Sequence, residues 1–69
     1  MDRVAFRWKA PVADLESGRP AEETVIAFWS PDFEGVRNSV SEAACAQAYM
    51  RSGKSKKFIP NGLPELLPA

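Results

Sequence analysis

From Asp2 to Lys9 the chain alternates, with Val4, Phe6 and Trp8 on one side and Arg3, Arg7 and Lys9 on the other. A period of two is that of a strand with one buried face, so a strand is predicted over 3–9. Ala10-Pro11 is expected to end it, because proline has no N–H for a ladder. Val12 to Glu23 is polar and acidic, contains Ser17-Gly18 and Arg19-Pro20, and reads as a long loop with a turn. Thr24 to Trp29 carries β-branched, aromatic or other apolar residues throughout, the composition of a strand covered on both faces. A strand over 24–30 is therefore expected at the centre of its sheet, stopped by Ser30-Pro31-Asp32.

Ser39-Val40-Ser41-Glu42 has the spacing of a capping box, in which the serine hydroxyl and the glutamate carboxylate each accept the other residue's backbone N–H. This predicts a helix over 40–52. Its small and apolar face is Ser41, Ala44, Cys45, Ala48, Tyr49 and Ser52, with Tyr49 as the main large contact, and Gly53 supplies a left-handed cap. A short strand is predicted over 56–59, where Phe58 and Ile59 precede Pro60, and Asn61-Gly62 is a turn. Leu63 to Pro68 lies between prolines that forbid a regular helix, while its three leucines are unfavourable in water. The tail is expected to dock in one turn, on this molecule or another. The resulting fold class is α+β: a small antiparallel sheet of about three strands with one helix packed on a face. It forms a single domain over 1–60, followed by a proline- and leucine-rich tail over 61–69.

Composition narrows the chemistry. The chain has 69 residues, no histidine and one cysteine. A Cys/His zinc set, a Ser-His-Asp triad, a Cys-His dyad and an intramolecular disulfide are all excluded. No metal, cofactor or small-molecule substrate is expected, and the chain reads as a non-enzyme. It shows neither a secretory signal pattern nor an apolar run long enough for a membrane, so a cytoplasmic protein without a membrane partner is expected. The formal net charge of zero conceals a polarity along the chain. Residues 12–34 carry Asp14, Glu16, Glu22, Glu23, Asp32 and Glu34 against Arg19 alone, while both flanking stretches are basic.

Several local patterns imitate known sites. Ser52-Gly53-Lys54-Ser55 resembles the end of a phosphate-binding loop, but Ala48 stands at the first glycine position and the helix precedes the loop. Lys54, Lys56 and Lys57 beside Phe58 combine basic residues with an aromatic, an ingredient of nucleic-acid binding. The Glu22/Glu23 and Asp32/Glu34 pairs have no spacing that would hold two carboxylates together for acid–base work. Cys45 reads as a small buried hydrophobe. Trp8 and Trp29 read as core residues, either becoming a binding hot spot if exposed.

The run Ala27-Phe28-Trp29-Ser30-Pro31-Asp32-Phe33-Glu34-Gly35-Val36, followed by Ser39-Val40-Ser41-Glu42-Ala43-Ala44, resembles the N-terminal domain of HicB-type antitoxins. In that family a strand runs into Pro-Asp-Leu-Pro-Gly-Cys, a Thr-x-x-Glu-Ala box opens the helix, and a proline-bearing segment like Ile59-Pro60 and Pro64 follows. The resemblance covers about residues 24–64. Glu34 stands where the family usually has proline and Val36 where it often has cysteine. No helix-turn-helix or ribbon-helix-helix segment follows, so DNA binding is not carried over. The resemblance implies a small antiparallel sheet with one helix, and neutralisation of an RNA-cleaving toxin by direct contact.

The expected function is that of a small protein-binding module directed at a toxin or another basic nucleic-acid-acting enzyme. Contact residues are expected at Asp14, Glu16, Glu22, Glu23, Asp32 and Phe33, where carboxylates steer association with a phosphate-attracting surface. Two alternatives stand beside it: a stand-alone inhibitor of a host enzyme encoded by a mobile element, and a nucleic-acid binder using Lys54, Lys56 and Lys57. Homo-oligomerisation is left open.

Overall fold

The longest strand runs straight through the proline that was expected to end it. In the computed structural model, which describes residues 4–68, the order is β1 (Ala5–Asp14), β2 (Pro20–Phe28), α1 (Phe33–Arg51), β3 (Phe58–Pro60) and β4 (Glu65–Leu66). Arg3, expected in the first strand, and Ala69, at the end of the tail, lie outside the described residues. The sheet is antiparallel and α1 packs against it, which makes the chain an α+β domain. The tail docks as strand β4 rather than as a turn.

β1, not β2, is the central strand. It pairs with β2 from Ala5↔Phe28 to Ala13↔Pro20, and its other edge carries β3 and β4. Pro11 is accommodated because the strand facing that edge is broken beside it. The Asn61 N–H donates to the Pro11 carbonyl at 2.9 Å. Between β3 (Val12↔Pro60) and β4 (Lys9↔Glu65) the register slips by two residues, so no ladder partner has to receive the missing proline N–H. Gly62 makes the slip possible: its φ is +126°, and a Cβ there would lie 3.1 Å from Pro11 Cγ.

The expected loop over 12–23 is instead the closed end of a hairpin. Asp14 N–H donates to Arg19 O at 3.0 Å, and Gly18 N–H to Asp14 O at 2.8 Å. The Asp14 carboxylate accepts the Glu16 N–H at 2.9 Å, an Asx-type turn that Ser17-Gly18 completes. The polar residues that suggested a loop are largely β2 residues: Glu22 and Thr24 face solvent on the uncovered side of the sheet, and Glu23 is buried beneath the helix.

β2 is covered on one face only. Val25 is buried, whereas Ile26 is 69% exposed and Phe28 is also exposed, because the single helix can cover one side of the sheet. That helix begins seven residues before the expected start. Asp32 is its N-cap, the carboxylate accepting the Gly35 N–H at 3.0 Å, and Glu34 lies in the first turn where the helix dipole favours a negative charge. Ser39 is an exposed mid-helix residue. The C-terminus ends as expected with Gly53 at φ +74°, and Lys54 N–H reaching back to Tyr49 O at 3.0 Å.

The core is Trp8, Ala10 and Val12 of β1, Val25 of β2 and Val40, Ala44 and Ala48 of α1, with Phe6, Val36, Cys45 and Phe58 at its margin. Alanine at two of the three buried helix positions lets α1 approach the sheet closely, and the Trp8 indole fills the remaining volume. Tyr49 is half-buried, so the helix contributes Val40 rather than Tyr49 as its largest fully buried side chain.

These cap assignments are separable by mutation. Asp32→Ala should destabilise the domain by about 1 kcal/mol, whereas Ser39→Ala should be neutral or slightly stabilising because alanine is the better helix former at an exposed interior position. Urea denaturation of the two variants checks this, and the reverse ranking would place the helix start at Ser39.

Candidate functional site

Val4, just before β1, continues the side of the strand that carries Phe6 and Trp8, yet of the three only Trp8 is buried; Phe6 is half-buried and Val4 exposed. The gradient arises because α1 starts at Phe33 and leaves that end of the sheet uncovered. β2 also ends there, with Trp29 N–H donating to Val4 O at 2.8 Å, and so does β4, which brings Leu66 opposite Trp8. These elements enclose an apolar cleft of about 130 Å³ lined by Phe6, Trp8, Trp29, Phe33, Val36 and Leu66.

Phe33 joins the cleft to the core. Its ring lies 5.4 Å from the Trp8 ring, tilted by 50°, and the Arg37 guanidinium sits 5.3 Å from the Phe33 centroid. Ring pairs at such separations contribute beyond their buried area, and a guanidinium over an aromatic face is attracted by the ring quadrupole. Trp29 is 62% exposed and Phe33 49% exposed at the mouth. Trp29 therefore departs from its expected core role, while Trp8 has it.

The expected contact residues divide between the two ends of the molecule. Phe33 lines the cleft, whereas Asp32 lines a neighbouring depression with Gly35 and Ser39, a carboxylate oxygen already accepting Gly35 N–H. Asp14 and Glu16 lie at the hairpin, nine ladder pairs from Phe28. At about 3.4 Å per residue this is on the order of 30 Å away. Glu22 is on the open sheet face, 3.4 Å from Lys9 Nζ. Glu23 is 7% exposed, with Oε1 accepting from Gln47 Nε2 at 3.0 Å and pairing with Arg51 Nε at 3.1 Å. The acidic residues thus form no single patch, and Asp14 and Glu23 serve the fold.

The hairpin end is also where Lys56 approaches Asp14, at 4.0 Å, and where Leu15 N–H donates to Lys57 O at 2.9 Å. The hydrogen bonds from Glu16 N–H and Ser17 N–H and the Lys56 charge hold the Asp14 carboxyl below its ordinary 3.8, the backbone bond from Glu16 being the largest cause and partial burial opposing it. Burial pushes the Cys45 thiol above its ordinary 9.0, consistent with an unreactive side chain at the margin of the core. Among the described residues no group of three or more metal-ligating side chains occurs, and no helix of the structure is long and apolar enough to cross a membrane.

Trp29, Leu66 and Arg37 were not among the expected contact residues. Trp29 had a signal, since it is a tryptophan at a strand end just before Ser-Pro. Arg37 gains meaning only once the helix starts at Phe33, which sets it one turn beyond that ring. Compared with models of known protein families, with characterised proteins and with solved structures, the chain matches none.

Because the folded-state pKa of Asp14 is lowered, its stabilising contribution is present above pH 3.8 and lost as acid titrates the carboxyl through its lower folded value. Carboxyl carbon shifts followed by NMR should place the Asp14 midpoint below 3.8. Asp14→Asn should flatten the acid limb of stability against pH; an unchanged acid limb would remove Asp14 from the hairpin's account.

Proposed function

We propose that the chain is a small non-enzymatic protein-binding module whose contact surface is the aromatic end, and that it acts by occluding a toxin or another nucleic-acid-acting enzyme. The observation that carries this reading is the exposure of Trp29 and Phe33 around one apolar cleft. A contiguous exposed apolar surface rimmed by polar residues marks an interaction site, and tryptophan is enriched among residues that dominate interface energies. Asp32 and Glu34 add carboxylates beside the aromatics, where they steer approach to a basic surface. The HicB-type resemblance, carried by residues 27–36 and 39–44, includes Trp29, Asp32 and Phe33 and supports a toxin as the target. A mobile-element inhibitor of a host enzyme would use the same surface on a different target.

The nucleic-acid alternative draws on the opposite end. There Lys54 and Lys57 have no carboxylate within 4.0 Å among the described residues, and Lys56 reaches one only at that distance.

Affinity capture with the full chain, followed by mass spectrometry and surface plasmon resonance on the captured protein, separates these readings. Trp29→Ala should weaken the complex about tenfold or more, chiefly by faster dissociation, as expected for a hot spot. Glu34→Lys should slow association and flatten its salt dependence. If Lys54→Glu with Lys57→Glu abolishes a steeply salt-dependent RNA or DNA interaction while Trp29→Ala leaves every interaction intact, the nucleic-acid reading replaces this one.

A further inference from the structure

We infer that the aromatic cleft is an anchor pocket for one aliphatic side chain of an extended partner segment, and that a carboxylate next to that side chain pairs with Arg37. This rests on reading the aromatic end as a protein-binding surface and adds the chemistry of what binds there.

Size limits the occupant. The cleft measures about 130 Å³, well below the roughly 300–1,000 Å³ of pockets for drug-sized ligands. An apolar cavity of roughly 150 Å³ accepts benzene, so a leucine, isoleucine or valine side chain is of the right order. The walls are aromatic and aliphatic apart from Ser30, with Phe6, Trp8, Phe33 and Leu66 among the lining residues and Trp29 at the mouth.

Charge supplies the second element. The Arg37 guanidinium lies over Phe33 and has no carboxylate within 4.0 Å among the described residues, although Glu34 is three positions earlier on the same helix. Asp32 at the same end is engaged as the helix cap. Arg37 is half-buried, so part of its hydration is already removed. A guanidinium resting on an aromatic face keeps its N–H edge open, and that planar fork matches a carboxylate better than a lysine ammonium would. An apolar side chain entering beside Phe33 therefore brings an adjacent carboxylate within reach of the Arg37 guanidinium, which stacks on that cleft wall.

The test uses the full chain and three probes, N-acetyl-L-leucine, N-acetyl-L-leucinamide and N-acetylglycine, followed by two-dimensional NMR. N-acetyl-L-leucine should shift the Trp8 indole, Phe33 and Arg37 Nε resonances saturably in the millimolar range. The neutral amide should bind about fivefold more weakly, the scale of a partly exposed ion pair, and N-acetylglycine should leave the cleft resonances unmoved. Arg37→Gln should bring acid and amide to within about twofold of each other. The acid–amide comparison on the unmodified chain stands even if that variant fails to fold. Equal binding of acid and amide, or no saturable shift with either, overturns the inference. Silent probes together with a captured partner lost in Trp29→Ala overturn the anchor pocket alone. Carboxylate-selective binding without such a partner sustains the pocket and removes its role in a protein interface.

Discussion

The burial of Trp8 beneath a helix face made largely of alanine is the contact on which the rest of the structure depends. Trp8 is 3% exposed, and Ala44 and Ala48 across from the sheet leave the indole as the main filler of the core. An aromatic side chain buries roughly 150–250 Å² and, at about 25 cal/mol per Å², contributes on the order of 4–6 kcal/mol. That is comparable to the whole net stability of many domains, about 5–15 kcal/mol. The same indole meets Phe33, so the first turn of α1 is located by the core rather than by its cap alone.

That arrangement separates two ends with different chemistry. The long axis of the molecule is 42 Å, close to the length of the β1–β2 hairpin together with its flanking loops. At the hairpin end, Asp14 is engaged by the turn and Lys56, and Glu23 by Gln47 and Arg51, while Lys54 and Lys57 have no carboxylate within 4.0 Å among the described residues. At the other end α1 starts too late to cover the sheet, and aromatic residues stand at the surface. A short helix on a longer sheet thus leaves exposed apolar surface at one end, and the proposed interface occupies that surface.

Much of the architecture was legible in the chain because it rests on local patterns. The alternation at Val4, Phe6 and Trp8 marks β1, and Gly53 marks the end of α1. What was not legible depends on pairing between distant residues. Pro11 looks like a strand terminator until the break between β3 and β4 is seen beside it. Glu22 and Glu23 look like loop residues until the hairpin is closed and Arg51 lies over Glu23. Ser39-x-x-Glu42 satisfies the spacing of a capping box, but Asp32-x-x-Gly35 caps the helix earlier, where Phe33 can pack on Trp8. At the candidate site, Asp32 and Phe33 were identifiable from their loop, whereas Arg37 and Leu66 come to that end only through the helix start and the β4 pairing.

The two tryptophans stand in opposite environments, Trp8 3% exposed in the core and Trp29 62% exposed at the end where the proposed interface lies. Acrylamide quenching of tryptophan emission in Trp29→Phe tests this most directly, because Trp8 is then the remaining tryptophan. The account predicts blue-shifted emission that resists quenching, against a readily quenched component in the unmodified chain that disappears with Trp29. Emission from Trp29→Phe that is as red and as quenchable as that of a free tryptophan peptide would contradict it.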